Sequence, residues 1–106
     1  MSKRDDHHLV WDMQEACERI LEYTQGLKAL ESQIVRDAVA RNLEIIGEAA
    51  NRLSDAGQAA HPHVPWNEIR GFRNRLVHEY FGVDYDLVWV IVKQDIPDLL
   101  EVLKHW

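Results

Sequence analysis

The chain has few of the residues that cross-link or interrupt a fold: one cysteine, three prolines and five glycines in 106 residues. A single thiol, Cys17, cannot form an internal disulfide. Its place in an apolar-periodic segment reads as a small buried hydrophobe in a reducing compartment. No apolar run approaches the ~18–20 residues that span a bilayer, so no membrane partner is expected. The first residues, Met1 to His8, hold no hydrophobic signal core, and the cytoplasm is the predicted location. A basic excess is also missing. Twelve lysines and arginines face 18 aspartates and glutamates, a net charge of −6, which argues against coating nucleic acid by bulk electrostatics. Neither an internal repeat nor a low-complexity stretch is present.

What is present is an ordinary globular balance, 46% apolar and 28% charged, enough apolar content to offset the ordering entropy. The length fits one domain, residues 1–106, with a core that self-association would help. Apolar positions Val10, Met13, Cys17, Ile20, Thr24 and Leu27 recur at helical spacing, with Asp5 or Asp6 as a cap and Gly26 as a stop. A proline-free second helix is predicted from Ser32 to Ser54 through Val35, Val39, Ile46, Ala50 and Leu53. Gly47 inside it marks a close helix–helix approach. Residues Asp55–Pro65 read as the one real loop. Pro65 then opens a third helix with Ile69, Phe72, Leu76 and Tyr80 as its apolar row, ended by Gly82. Asp84 caps a fourth, carried by Leu87, Val88, Ile91, Leu99 and Leu103, and Pro97 predicts a kink near Asp95. The expected fold is all-α, an up-and-down bundle of about four helices with a kinked last helix.

Chemistry concentrates in Arg70-Gly71-Phe72-Arg73-Asn74-Arg75-Leu76-Val77-His78-Glu79-Tyr80-Phe81. Arg70, Arg73 and Arg75 crowd into six residues of an acidic chain, so if anything here binds an anion it is this cluster. If the segment is one helix at ~100° per residue, Asn74 and His78 share a face, while Arg73 and Tyr80 fall within about 20° of each other. Arg73 and His78 then diverge by roughly 140°, so one isolated helix aims both at one atom only if the arginine's long arm wraps round, the helix end unwinds or a second protomer completes the cleft. The pair suits phosphodiester cleavage. Histidine exchanges a proton near neutrality, and arginine holds the non-bridging oxygens where charge builds up. The nucleophile for RNA can be its own 2′-hydroxyl, which requires no metal or cofactor. Residue types alone leave a solvated arginine cluster with a partly buried histidine equally open, and Tyr80 as a mere continuation of the apolar row.

The segment Arg73-Asn74-Arg75-Leu76-Val77-His78 resembles the Arg-(x)4–6-His motif of the HEPN superfamily, whose members are often RNases. Extended to Tyr80, it is similar to the HepT group, the toxin half of HEPN/MNT toxin–antitoxin pairs. The blocks Arg41-Asn42-Leu43-Glu44-Ile45-Ile46-Gly47-Glu48-Ala49-Ala50 and Pro65-Trp66 with Ile69-Arg70-Gly71 carry the same resemblance, which covers nearly the whole chain. It implies a HEPN-like domain and a metal-independent endoribonuclease acting on RNA. It further implies Arg73 and His78 as the catalytic pair with Asn74 beside them. It also implies a homodimer with the cleft at the interface, and a nucleotidyltransferase antitoxin that silences the toxin by adding AMP at Tyr80. Arg70 and Arg75 are the expected RNA-binding residues. A catalytically silent helical partner of a nucleotidyltransferase is the alternative, and a module that grips a mononucleotide is a third reading.

Other features have plainer accounts. His61 and His63 flank a proline with no completing ligand, so no metal site is expected. Glu44 and Glu48 have Arg41 and Arg52 near them and read as a solvated face. Trp66, Trp89 and Trp106 read as core or interface anchors, and Trp11 is undecided.

Overall fold

The structure, a computed structural model, describes residues 5–72, 74 and 82–106, and the backbone of 77–78. Asp5 caps the first helix by accepting the His8 N–H at 3.1 Å, and α1 runs Asp6–Tyr23. It stops where the Thr24 hydroxyl donates back to the Ile20 carbonyl at 2.8 Å and Gly26 takes a left-handed φ of 76°. Ser32 caps α2, Gln33–Arg52. Met13, Cys17 and Ile20 of α1 meet Val39, Leu43, Ile46 and Ala50 of α2 in the core, all fully buried.

Residues Asp55–Pro65 are not simply a loop. Ser54 caps a short helix, α3 (Asp55–Ala59), accepting the Gly57 N–H at 2.9 Å. The Asp6 carboxylate in turn accepts from the Ser54 N–H at 3.0 Å and its hydroxyl at 2.6 Å, tying the start of α1 to α3. The longer irregular connection is Thr24–Ser32 instead.

The predicted third helix is also shorter. Its first part is α4, Trp66–Arg70, with Gly71 as its C-cap. Phe72 and Asn74 keep helical backbone, but Val77–His78 form a strand, β1, paired antiparallel with β2, Gly82–Val83. Leu76 and Tyr80 of the predicted apolar row lie outside the described residues. Gly71 interrupts helix propagation, Val77 is β-branched, and Gly82 holds φ at 77°, a left-handed value within the strand pair.

Asp84 caps α5 (Tyr85–Val90) by accepting the Leu87 N–H at 3.2 Å. A π-helical turn, Ile91–Asp95, follows, and then α6, Ile96–Lys104. The wide turn is the expected kink. Pro97 falls in the first turn of α6, where a missing N–H costs least. In a regular helix Val88 and Leu100, twelve residues apart, would face directions about 120° apart. A wide turn absorbs about one residue, so Val88, Val92, Ile96 and Leu100 all reach the core. α6 packs on α1 and closes the all-α fold. Among the described residues, no helix is long and apolar enough to cross a membrane.

Candidate functional site

The arginine–histidine segment enters from α4, so its position depends on how α4 is held. Gly47 of α2 lies against the end of that helix. A Cβ there would sit 3.2 Å from the Ile69 carbonyl oxygen and 3.5 Å from that of Arg70. The close approach predicted at Gly47 is real, and it is made to this chain's own α4.

Gln58 of α3 supplies the second fastening. Its Nε2 donates to the carbonyls of Ala50 and Leu53 at 3.2 and 3.3 Å, and its Oε1 accepts from Arg70 Nη1 at 2.5 Å. Its backbone carbonyl accepts from Trp66 Nε1 at 3.1 Å. One residue thus links the end of α2 to both ends of α4. Phe72, 1% exposed, then anchors the next step of the chain in the core. Gln58 was invisible in the hydrophobic pattern. The Ser54 cap and the Ala-rich run after it were the available signals for α3, and Gly57 masked them.

Arg70 is half-buried and also donates to Asn67 Oδ1. Both acceptors are neutral amides, and among the described residues no carboxylate pairs with it. Asn74 is exposed. His78 lies in β1 opposite Gly82, and Arg73, Arg75 and Tyr80 lie outside the described residues. The shared face of Asn74 and His78, the ~140° divergence of Arg73 and His78, and the overlay of Arg73 with Tyr80 all assumed one unbroken helix. Extended backbone at Val77–His78 overturns that assumption. The divergence therefore gives no reason to require a second protomer.

The family described as ribonuclease HepT-like matches residues 13–106. The chain belongs to this family. It is 41% identical over 102 residues to "Putative RNase MJ1380" of Methanocaldococcus jannaschii, spanning 93% of this chain and 94% of that protein. It is 40% identical over 100 residues to "Probable ribonuclease HepT" of Thermococcus cleftensis, spanning 92% and 91% respectively. No solved structure matches the chain at a significant level. The HepT-like protein is thus an enzyme of the ribonuclease class, and the matched span contains the whole segment from Arg70 to Tyr80.

Elsewhere the HepT-like chain uses its polar residues for packing. His61 stacks on Trp106 with ring centroids 4.2 Å apart, and Trp66 meets the same indole edge-on at 6.1 Å. Arg41 lies 3.5 Å from Glu44 on a solvated face. Trp11 is 59% exposed, whereas Trp66 is buried. Among the described residues no three His, Cys, Asp or Glu side chains converge as metal ligands. Burial without a countercharge pushes the Cys17 thiol up to about 12, with Glu18 adding to the shift. Asn42 of α2 is buried too. Its Nδ2 donates to the Ala38 carbonyl at 2.8 Å, while its Oδ1 has no partner among the described residues.

Proposed function

We propose that this chain is a metal-independent endoribonuclease in which Arg73 and His78 carry the chemistry. The observation that carries the reading is the family match across residues 13–106, which spans an intact Arg73-x4-His78-x-Tyr80 pattern. In the reaction the substrate's 2′-oxygen forms a bond to phosphorus as the phosphorus–O5′ bond breaks. His78 moves the proton between these oxygens, and Arg73 holds the non-bridging oxygens as negative charge gathers on them. Asn74, exposed beside them in sequence, offers an amide to the same phosphate. Arg70 and Arg75 bind the flanking RNA, and the neutral amide partners of Arg70, Gln58 and Asn67, support that role.

The biological setting in this reading is a toxin–antitoxin pair, with this chain as a homodimeric toxin and a minimal nucleotidyltransferase as its antitoxin. AMP added to the Tyr80 hydroxyl, seven residues after Arg73, would bring an anion and a bulky base that compete for the phosphate grip. Tyr80 is bracketed in sequence by the paired residues His78 and Gly82.

Arg73→Ala and His78→Ala are each expected to abolish RNA cleavage by the purified chain while helical circular dichroism stays near wild type. Two folded variants that still cut RNA would overturn the assignment. A wild-type chain that binds the nucleotidyltransferase but never cuts RNA would establish the silent-partner alternative. Incubation with the nucleotidyltransferase and ATP, followed by mass spectrometry, should find AMP on Tyr80 together with loss of cleavage. Silencing with Tyr80 unmodified would mean inhibition by occlusion.

A further inference from the structure

A groove runs between α4 and α6, with a cavity of about 370 Å³. That volume is within the ~300–1,000 Å³ typical of ligand pockets. Its floor is apolar, formed by Val64, Ile69, Phe72, Leu99 and Val102, and its rim is acidic, with Glu68 on one wall and Asp98 and Glu101 on the other. All three rim carboxylates belong to exposed residues. His63, Pro65 and Asp95 complete the lining among the described residues, and none of those described lining residues is a lysine or arginine. On α6 and the turn before it, the groove extends from Asp95 to Val102. At ~1.5 Å per residue that is about 10 Å, two turns of a helix laid alongside.

We propose that this groove docks a basic amphipathic helix of a protein partner. Apolar side chains spaced i, i+4 and i+7 on one face of the visitor fill the floor. Its flanking lysines or arginines meet Glu68, Asp98 and Glu101. The same carboxylates repel the phosphates of RNA, so the occupant is not the substrate. Ile69 and Phe72 belong to the strip that leads directly into Arg73, which puts the visitor against the lead-in to the arginine–histidine segment. The proposal does not depend on the roles assigned to Arg73 and His78.

The test uses the full chain and a dye-labelled synthetic helical peptide with leucines at i, i+4 and i+7 flanked by lysines, followed by fluorescence anisotropy. Binding is expected, with about a tenfold loss in the Asp98→Lys/Glu101→Lys variant and no change in Glu22→Lys, an exposed α1 residue that does not line the groove. The same peptide with glutamates in place of the lysines should not bind. The proposal fails if the two peptides bind alike, if neither binds, or if the double reversal leaves binding intact. It also fails if that variant stays folded but turns a dimer into a monomer by sedimentation, since a second copy would then be the occupant. A folded double variant that loses RNA cleavage would overturn it too, because those acids would then serve the substrate.

Discussion

A buried thiol has a definite consequence for stability. Cys17 titrates near 9.0 when unperturbed and at about 12 in the fold. The folded state therefore holds its proton more tightly than the unfolded chain. The resulting stabilisation is complete below pH 9 and is lost progressively as pH rises toward 12. Melting temperatures measured from pH 8 to 11 should fall for the wild type and fall less for Cys17→Ala, against its lower starting value. Equal slopes would mean that the thiol is not buried as described. Gln58 gives the second residue-scale expectation. Gln58→Leu removes the acceptor for Arg70 and the donor to Ala50 and Leu53, a loss of about 1–2 kcal/mol. If α4 positions the catalytic segment, the turnover number should drop more than the Michaelis constant rises. Gln58→Glu, which keeps the Arg70 acceptor, should recover part of it.

Among the elements, α4 is the one whose seating matters most, and Gly47 controls it. Gly47→Ala places a methyl 3.2 Å from the Ile69 carbonyl oxygen. A small backbone shift there is offset by the better helix propensity of alanine, about 1 kcal/mol. Gly47→Val cannot be seated that way and should cost ~1–3 kcal/mol, seen in denaturant unfolding, with RNA cleavage reduced alongside. A fully active, equally stable Gly47→Val protein would show that α4 need not lie close to α2. The glycine was legible in the sequence because a helix-interior glycine needs a packing reason. So were α1, α2 and the C-terminal helix, whose apolar residues return every three or four positions, and the caps at Asp84 and at Asp5, one of two candidates. The path after Arg70 was not. Ile69, Phe72, Leu76 and Tyr80 keep helical spacing, and periodicity alone cannot register that Gly71 closes α4 and Val77–His78 pair with Gly82–Val83. The candidate site residues were readable from residue type, order and the family resemblance together. Their mutual geometry was not, because it depends on that backbone change and on a hydrogen-bonding glutamine with no periodic signature.

For the whole molecule, charge decides how RNA can be held. The net charge is −6, and the groove between α4 and α6 adds a local negative field. If Arg70, Arg73 and Arg75 hold RNA as proposed, the affinity comes from few cations. With ~0.7 counterions released per phosphate contact on a single strand, three contacts predict a slope of about −2 in log K against log salt for each chain. Fluorescence titration of a non-cleaved RNA analogue over a salt series measures it. A much steeper slope would place the RNA on a broader cationic surface than these three arginines provide.

The π-helical turn bears on which changes in chain length the fold can absorb. A wide turn is what a regular helix becomes when one residue is inserted without rotating what lies beyond it. The Ile96 N–H reaching back to the Ile91 carbonyl shows where the surplus residue is stored. Removing exposed Gln94 together with Pro97→Ala should therefore restore an unbroken α-helix in which Val88 and Leu100 still face inward, and the protein should fold. Removing one residue from the middle of α1 or α2, which hold no such reserve, would rotate half of the helix by about 100° and turn its buried row out to solvent. The last helix is the place where this fold tolerates a length change, because it already contains one.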